Sequence, residues 1–151
     1  MKFSDETTTV LKNFAGINPS VMFRAGNTLQ TISPQKTVMA RATIADTIEG
    51  DAAVYDLSSF LNVLGQFDDP SVEFGEDKFT IKGKDKSGKY DSSTRFGYAS
   101  ESMIVSPPNK EITLPSVDVT VSVDWAAIDS VIRAASVLQV SDIAFVGKNG
   151  K

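Results

Sequence analysis

The chain has 151 residues, 41% hydrophobic and 23% charged, with 19 acidic and 15 basic side chains and neither His nor Cys. That length holds one or two domains, and the acidic balance excludes nucleic-acid binding through overall charge. Without imidazole or thiol there are no Cys/His metal sites, Ser-His-Asp triads or thiol nucleophiles, and the lack of disulfides fits a reducing cytoplasm.

No apolar run reaches the roughly 18 residues of a membrane span, and the first residues lack signal-peptide form. Residues 1–3 read as a short strand or lead-in. Ser4 is placed to cap a helix over residues 4–17, with Asp5 and Glu6 favourable at its positive end. Val10, Leu11, Phe14 and Ile17 stack on one helical face, and Lys12 falls on the other. Strands are predicted over 20–24, 28–32 and 38–43, separated by the turns Ala25-Gly26-Asn27 and Ser33-Pro34-Gln35-Lys36. Residues 44–51 read as a loop and 52–55 as another short strand.

The second helix, over residues 56–64, is capped by Asp56 and carries Leu57, Phe60, Leu61 and Leu64 on one face. Gly65 and then Asp68-Asp69-Pro70 are read as ending it. Val72 and Phe74 mark a strand, Phe79 and Ile81 the next, and residues 90–98 a third. Hairpin turns fall at Glu76-Asp77 and Asp85-Lys86-Ser87-Gly88. Lys78, Lys82, Lys84, Lys86 and Lys89 cluster on that hairpin and read as lysines protecting an edge strand.

Val105-Ser106-Pro107-Pro108-Asn109-Lys110 breaks the pattern, because two prolines remove two backbone donors and favour an extended crossing. The domain boundary is placed here. A strand over 117–123, a helix over 124–137, a strand over 140–146 and the turn Gly147-Lys148-Asn149-Gly150 follow. Trp125, Ile128, Ile132 and Ala135 form the apolar stripe of that helix, and Arg133 points away from them.

At one constant offset Arg133 overlies Lys12, Leu138 overlies Ile17, Ile143 overlies Met22 and Gly147 overlies Gly26. A domain used twice accounts for this, and so does chance recurrence of a helix–strand unit. Three amphipathic helices with short antiparallel strands imply an α+β fold, helices on one face of the sheet. The outward helix faces are light in charge, while Asp68, Asp69, Glu73, Glu76, Asp77, Asp85, Asp91 and Glu101 lie among strands and turns. Such a face suits a polyanion, although an ordinary solvated face has the same composition. The acidic pairs Asp5-Glu6, Asp68-Asp69 and Glu76-Asp77 read as solvated punctuation rather than acid catalysts. No catalytic residue, metal site or cofactor is expected.

The stretches FSDETTTVLKNFAGIN, AVYDLSSFLNVL, SSTRF, VSPPNKEITLPS and DWAAIDSVIRAASVLQVSDIAFVGKNGK resemble, in order, the T-even-type bacteriophage DNA polymerase sliding clamps. The resemblance implies a clamp-fold chain with residues 1–106 as a first domain, 107–116 as the connector and 117–151 as the opening part of a second, similar domain. It implies a non-catalytic processivity factor that encircles double-stranded DNA as a homotrimeric ring in the cytoplasm of an infected bacterial host. DNA polymerase, a clamp loader and late-transcription factors are the implied partners, with no membrane. Lys12 and Arg133, and more weakly Lys2, would face DNA, while Val105, Pro107 and Pro108 would lie in the partner-binding connector. The chain stops at Lys151 where family members continue, so it is read as truncated within its second domain and is expected not to close a stable ring alone. The Lys-rich hairpin looks lengthened relative to the family. The alternative reading is a monomeric clamp-derived scaffold that binds a protein partner.

Overall fold

Helix α1 (Asp5–Ile17) begins where Ser4 turns extended and its Oγ accepts the Thr7 N–H at 3.2 Å. The Ser4 N–H itself donates to Asp46 Oδ2 at 2.7 Å, so the helix start is tied to a distant strand. Thr7, Leu11 and Phe14 form its buried face. The helix ends at Asn18, whose N–H still reaches Phe14 O, and Pro19 follows. Residues 1–108, 116 and 120–147 are described by this computed structural model. The chain divides into two units, Met1–Asn109 and Lys110–Lys151.

In the first unit strands β1 (Val21–Phe23), β2 (Gly26–Ile32), β3 (Met39–Ile48) and β4 (Ala52–Val54) lead to helix α2 (Leu57–Leu64). Strands β5 (Phe67–Phe74), β6 (Lys78–Asp85) and β7 (Asp91–Gly97) complete it, followed by a 3-10 turn over Glu101–Met103. All pairings are antiparallel: β1 with β4, β2 with β3, and β5–β6–β7 in that order. The two helices pack on each other, α1 also on β2 and β3, α2 also on β5. This is the expected α+β layering.

The core is aromatic at its centre. Phe60 of α2 lies 4.8 Å from Phe79 of β6, ring centre to ring centre, and Phe74 and Tyr98 approach Phe79 to 4.9 and 4.6 Å. Offset and edge-on rings at such spacing add to the burial of about 1.5–3 kcal/mol per large apolar side chain.

Three expectations about the first unit need correction. Residues 44–48, read as loop, are the end of β3, where Ile44 and Ile48 are buried. The pairing moves from Thr28 opposite Thr43 to Gly26 opposite Ile48, so a bulge in β3 disrupts the alternation that sequence reading relies on. Asp68-Asp69-Pro70, read as stopping a helix, lies inside β5. Here too the register shifts, Asp69 is left-handed at φ 48°, and Pro70 sits where no ladder donor is required. Gly83 faces this bulge: a Cβ there would lie 3.1 Å from Asp68 O and 3.2 Å from Phe67 Cβ. Finally, the lysine-rich strand is no edge. β6 is the middle strand, with Lys82 paired to Glu73 at 2.8 Å and Lys78 to Asp77 at 3.1 Å.

In the second unit helix α3 (Trp125–Leu138) starts at Asp124, whose side chain accepts the Ala126 N–H at 3.2 Å, and closes on left-handed Gln139. The strand expected over 140–146 is not formed, nor is there strand at 120–123; residues 117–119 lie outside the described residues. A strand exists only against a partner, and the described residues of this unit offer none. Ile128, Val131 and Ile132 instead line an apolar groove with Val123, Ile143 and Phe145. Trp125, placed in the stripe by spacing, is 73% exposed.

Candidate nucleic-acid interface and connector

Lys12 stands on the exposed side of α1, opposite buried Leu11 and Phe14. Beside it runs a groove of about 410 Å³ lined by Lys12, Ala15, Ser58, Leu61, Asn62, Gly65 and Gln66. Lys12 is the one charged residue of that lining, and α2 carries no charged residue at all. The two helices are held in this relation by a backbone bond from the Leu57 N–H to Pro19 O at 2.8 Å. At the start of α2, Asp56 accepts from the Ser59 N–H at 2.8 Å and from Ser59 Oγ at 2.7 Å. Those bonds, the hydroxyl's first, hold the Asp56 carboxyl below its usual pKa and fix its charge at the helix terminus. What remains along the face is one ammonium among hydroxyls and amides. It can attract a phosphate without gripping a base.

Lys2 is not brought beside Lys12. Its Nζ is ion-paired with Asp69, and it lines a different depression with Asp68, Ser71, Lys82, Lys84 and Asp91. Arg133 is exposed on α3 in the second unit and reaches Asp129 one turn earlier.

The connector candidates divide into an anchor and a wall. Val105 is the anchor: its carbonyl accepts from Asn18 Nδ2 at 2.9 Å. The same amide donates to Ile32 O at 2.7 Å, and Asn18 Oδ1 accepts the Ser20 N–H at 2.9 Å and Ser20 Oγ at 3.0 Å. Pro107 and Pro108 form one wall of a groove of about 240 Å³, facing Met22, Arg24, Thr28, Gln30 and Arg41. Arg24 is held by Asp51 at 2.8 Å and by Glu101, and the Ala25 N–H donates to Asp51 Oδ1 at 2.9 Å. The Arg24 hydrogen bond leads in holding the Asp51 carboxyl below its usual range. Asn18, Arg24 and Arg41 were not singled out from sequence. Asn18 had one signal, a polar residue just before the proline that ends a helix. Among the described residues no group of three or more Asp and Glu is arranged to hold a metal ion, and no helix is long and apolar enough to cross a membrane.

Residues 4–106 match the family model of the DNA polymerase processivity factors. The chain belongs to that family. It is 36% identical over 152 aligned positions to the sliding clamp of Enterobacteria phage T4, an alignment covering 100% of this chain and 64% of the relative. It is 34% identical to the sliding clamp of Escherichia phage RB69, with the same coverage. The sliding clamp of Vibrio phage KVP40 is 33% identical over 145 positions, 95% of this chain and 63% of the relative. The chain thus spans about 64% of the length of the curated relatives it matches. The matched stretch includes α1, α2 and Val105, and it stops just before Pro107.

Proposed function

We propose that this chain supplies the first domain and part of the second of a sliding clamp, which with a complete second domain encircles double-stranded DNA and tethers a replicative DNA polymerase to it without catalysing a reaction itself. The observation that carries the reading is the groove beside α1 and α2, in whose lining Lys12 is the one charged residue, with α2 uncharged and the acids of α1, Asp5 and Glu6, confined to its first turn. A clamp must slide, so its phosphate contacts should be few and loose; a dense basic groove would hold one position. In this proposal residues 1–106 are a first clamp domain, 107–116 the connector, and 117–151 part of a second domain of the same design. Lys12 and Arg133 meet phosphates, and Val105, Pro107 and Pro108 help receive a partner. Membership of the family supports further inferences: a homotrimeric ring, a clamp loader, late-transcription factors as additional partners, and action in the cytoplasm of an infected host.

Primer extension on a primed circular template tests it, with a phage replicative polymerase and clamp loader. The expected result is longer products when this protein, extended to a complete second domain, is added and shorter ones when Lys12 and Arg133 are both changed to Glu. Product lengths that do not respond to the protein at any concentration would overturn the proposal in favour of a protein-binding scaffold.

A further inference from the structure

The β6–β7 hairpin carries charge that the α1–α2 face does not account for. Lys84 at the end of β6 and Lys86 and Lys89 in the turn are exposed, and none of the three is ion-paired among the described residues. Lys82, two residues earlier, is committed to Glu73. The one acid within the turn is turned inward: Asp85 accepts Ser87 Oγ at 2.6 Å, the Lys89 N–H at 3.0 Å and the Tyr90 N–H at 3.1 Å. Gly88, left-handed at φ 69°, lets the chain close so that its N–H reaches Asp85 O at 2.8 Å. The carboxylate therefore acts as the turn's internal clasp. Tyr90, which follows Lys89 in the chain, is 69% exposed and stacked on no other ring among the described residues, and Asp91 after it lies in register with Lys84.

We propose that this hairpin is a contact for single-stranded nucleic acid, with Lys84, Lys86 and Lys89 meeting phosphates and the Tyr90 ring receiving an unpaired base. Lysine ammonium groups serve as point charges for a phosphate backbone, and every base has a π face for an aromatic ring. The carboxylates of an acidic peptide could use the lysines, but only a nucleotide brings a flat ring with every charge. A duplex hides its base faces within the stack, so the strand must be single.

The test is fluorescence anisotropy of an end-labelled oligothymidylate at low salt, using the whole chain. The Lys84→Gln, Lys86→Gln, Lys89→Gln variant should bind about tenfold or more weakly. Its log K against log salt should be shallower by about 2, at roughly 0.7 for each phosphate of a single strand that is no longer neutralised. Tyr90→Ala should weaken binding and leave that slope unchanged. Both changes are at exposed positions, and circular dichroism confirms that the fold is intact. Lys36→Gln, at an exposed lysine of the turn between β2 and β3, should bind oligothymidylate as the parent does, which separates this site from loss of positive charge in general. Equal binding by the triple variant, or no binding by the parent, overturns the proposal. Lysine-dependent binding of polyglutamate but not of oligothymidylate also overturns it and assigns the hairpin to an acidic protein partner.

Discussion

Asn18 donates its side-chain amide to the Val105 carbonyl at 2.9 Å, joining the end of α1 to the segment that leads into the connector across 87 positions of sequence. The Asn18 side chain is 2% exposed and uses both amide hydrogens and its carbonyl oxygen. It is a buried polar group with every demand met, which makes its removal costly in a defined way.

Asn18→Ala leaves the carbonyls of Ile32 and Val105 without this donor. A loss of about 1–3 kcal/mol is expected, read as a lower urea midpoint with an unchanged slope. Amide exchange should quicken around residues 104–106 more than in α2. Uniform acceleration across the first unit would mean that Asn18 is not a specific tether of the connector.

Charge reversal at Lys12 and Arg133 tests the DNA-facing assignment directly. Each duplex phosphate that a side chain ceases to neutralise lowers the steepness of log K against log salt by about 0.9. In a version extended to a complete second domain, the Lys12→Glu, Arg133→Glu protein should therefore tether polymerase poorly at low salt, with the difference narrowing as salt rises. Full processivity of this variant at low salt would remove both residues from the DNA-facing set.

Asp46 makes the tie between α1 and β3 sensitive to acid. Burial pushes its pKa up, but the Ser4 N–H and the Thr7 and Ser4 hydroxyls outweigh this and hold it below the ordinary 3.8. A carboxyl with a depressed folded pKa contributes stability that is full above the unfolded value and lost as pH falls through the folded one. Asp46→Asn should thus be less stable than the parent at pH 6, and the gap should shrink only below about pH 4. A gap that stays constant down to pH 2 would show that the charge of Asp46 is immaterial.

Thr31 presents the opposite case. It is 2% exposed in β2, and its Oγ1 is without a hydrogen-bond partner among the described residues. Thr31→Val keeps the branched shape and removes the unmet hydroxyl, so a gain of about 1 kcal/mol is expected. Thermal or urea unfolding checks it; a loss of stability would reveal a partner for the hydroxyl.

The helices of this protein were legible in its sequence because their determinants are local. Ser4, Asp56 and Asp124 each cap the helix they precede, and the spacing of Leu11 with Phe14 and of Leu57, Phe60 and Leu64 marks the buried faces. Kinship to the clamps was legible too, because it resides in the order of residues. What tertiary structure alone decided was where strands run and what they lie against. Ile44 and Ile48 extend β3 only because β2 accepts them across a bulge, and Asp69 and Pro70 remain in β5 only because Gly83 leaves room opposite. Residues 140–146 have a strand-like pattern yet form none among the described residues. The groove between Pro108 and Arg24, and the bond from Asn18 to Val105, join positions far apart in the chain. A helix satisfies its backbone from within four residues, whereas a strand or a groove is satisfied by whatever the fold brings across from elsewhere.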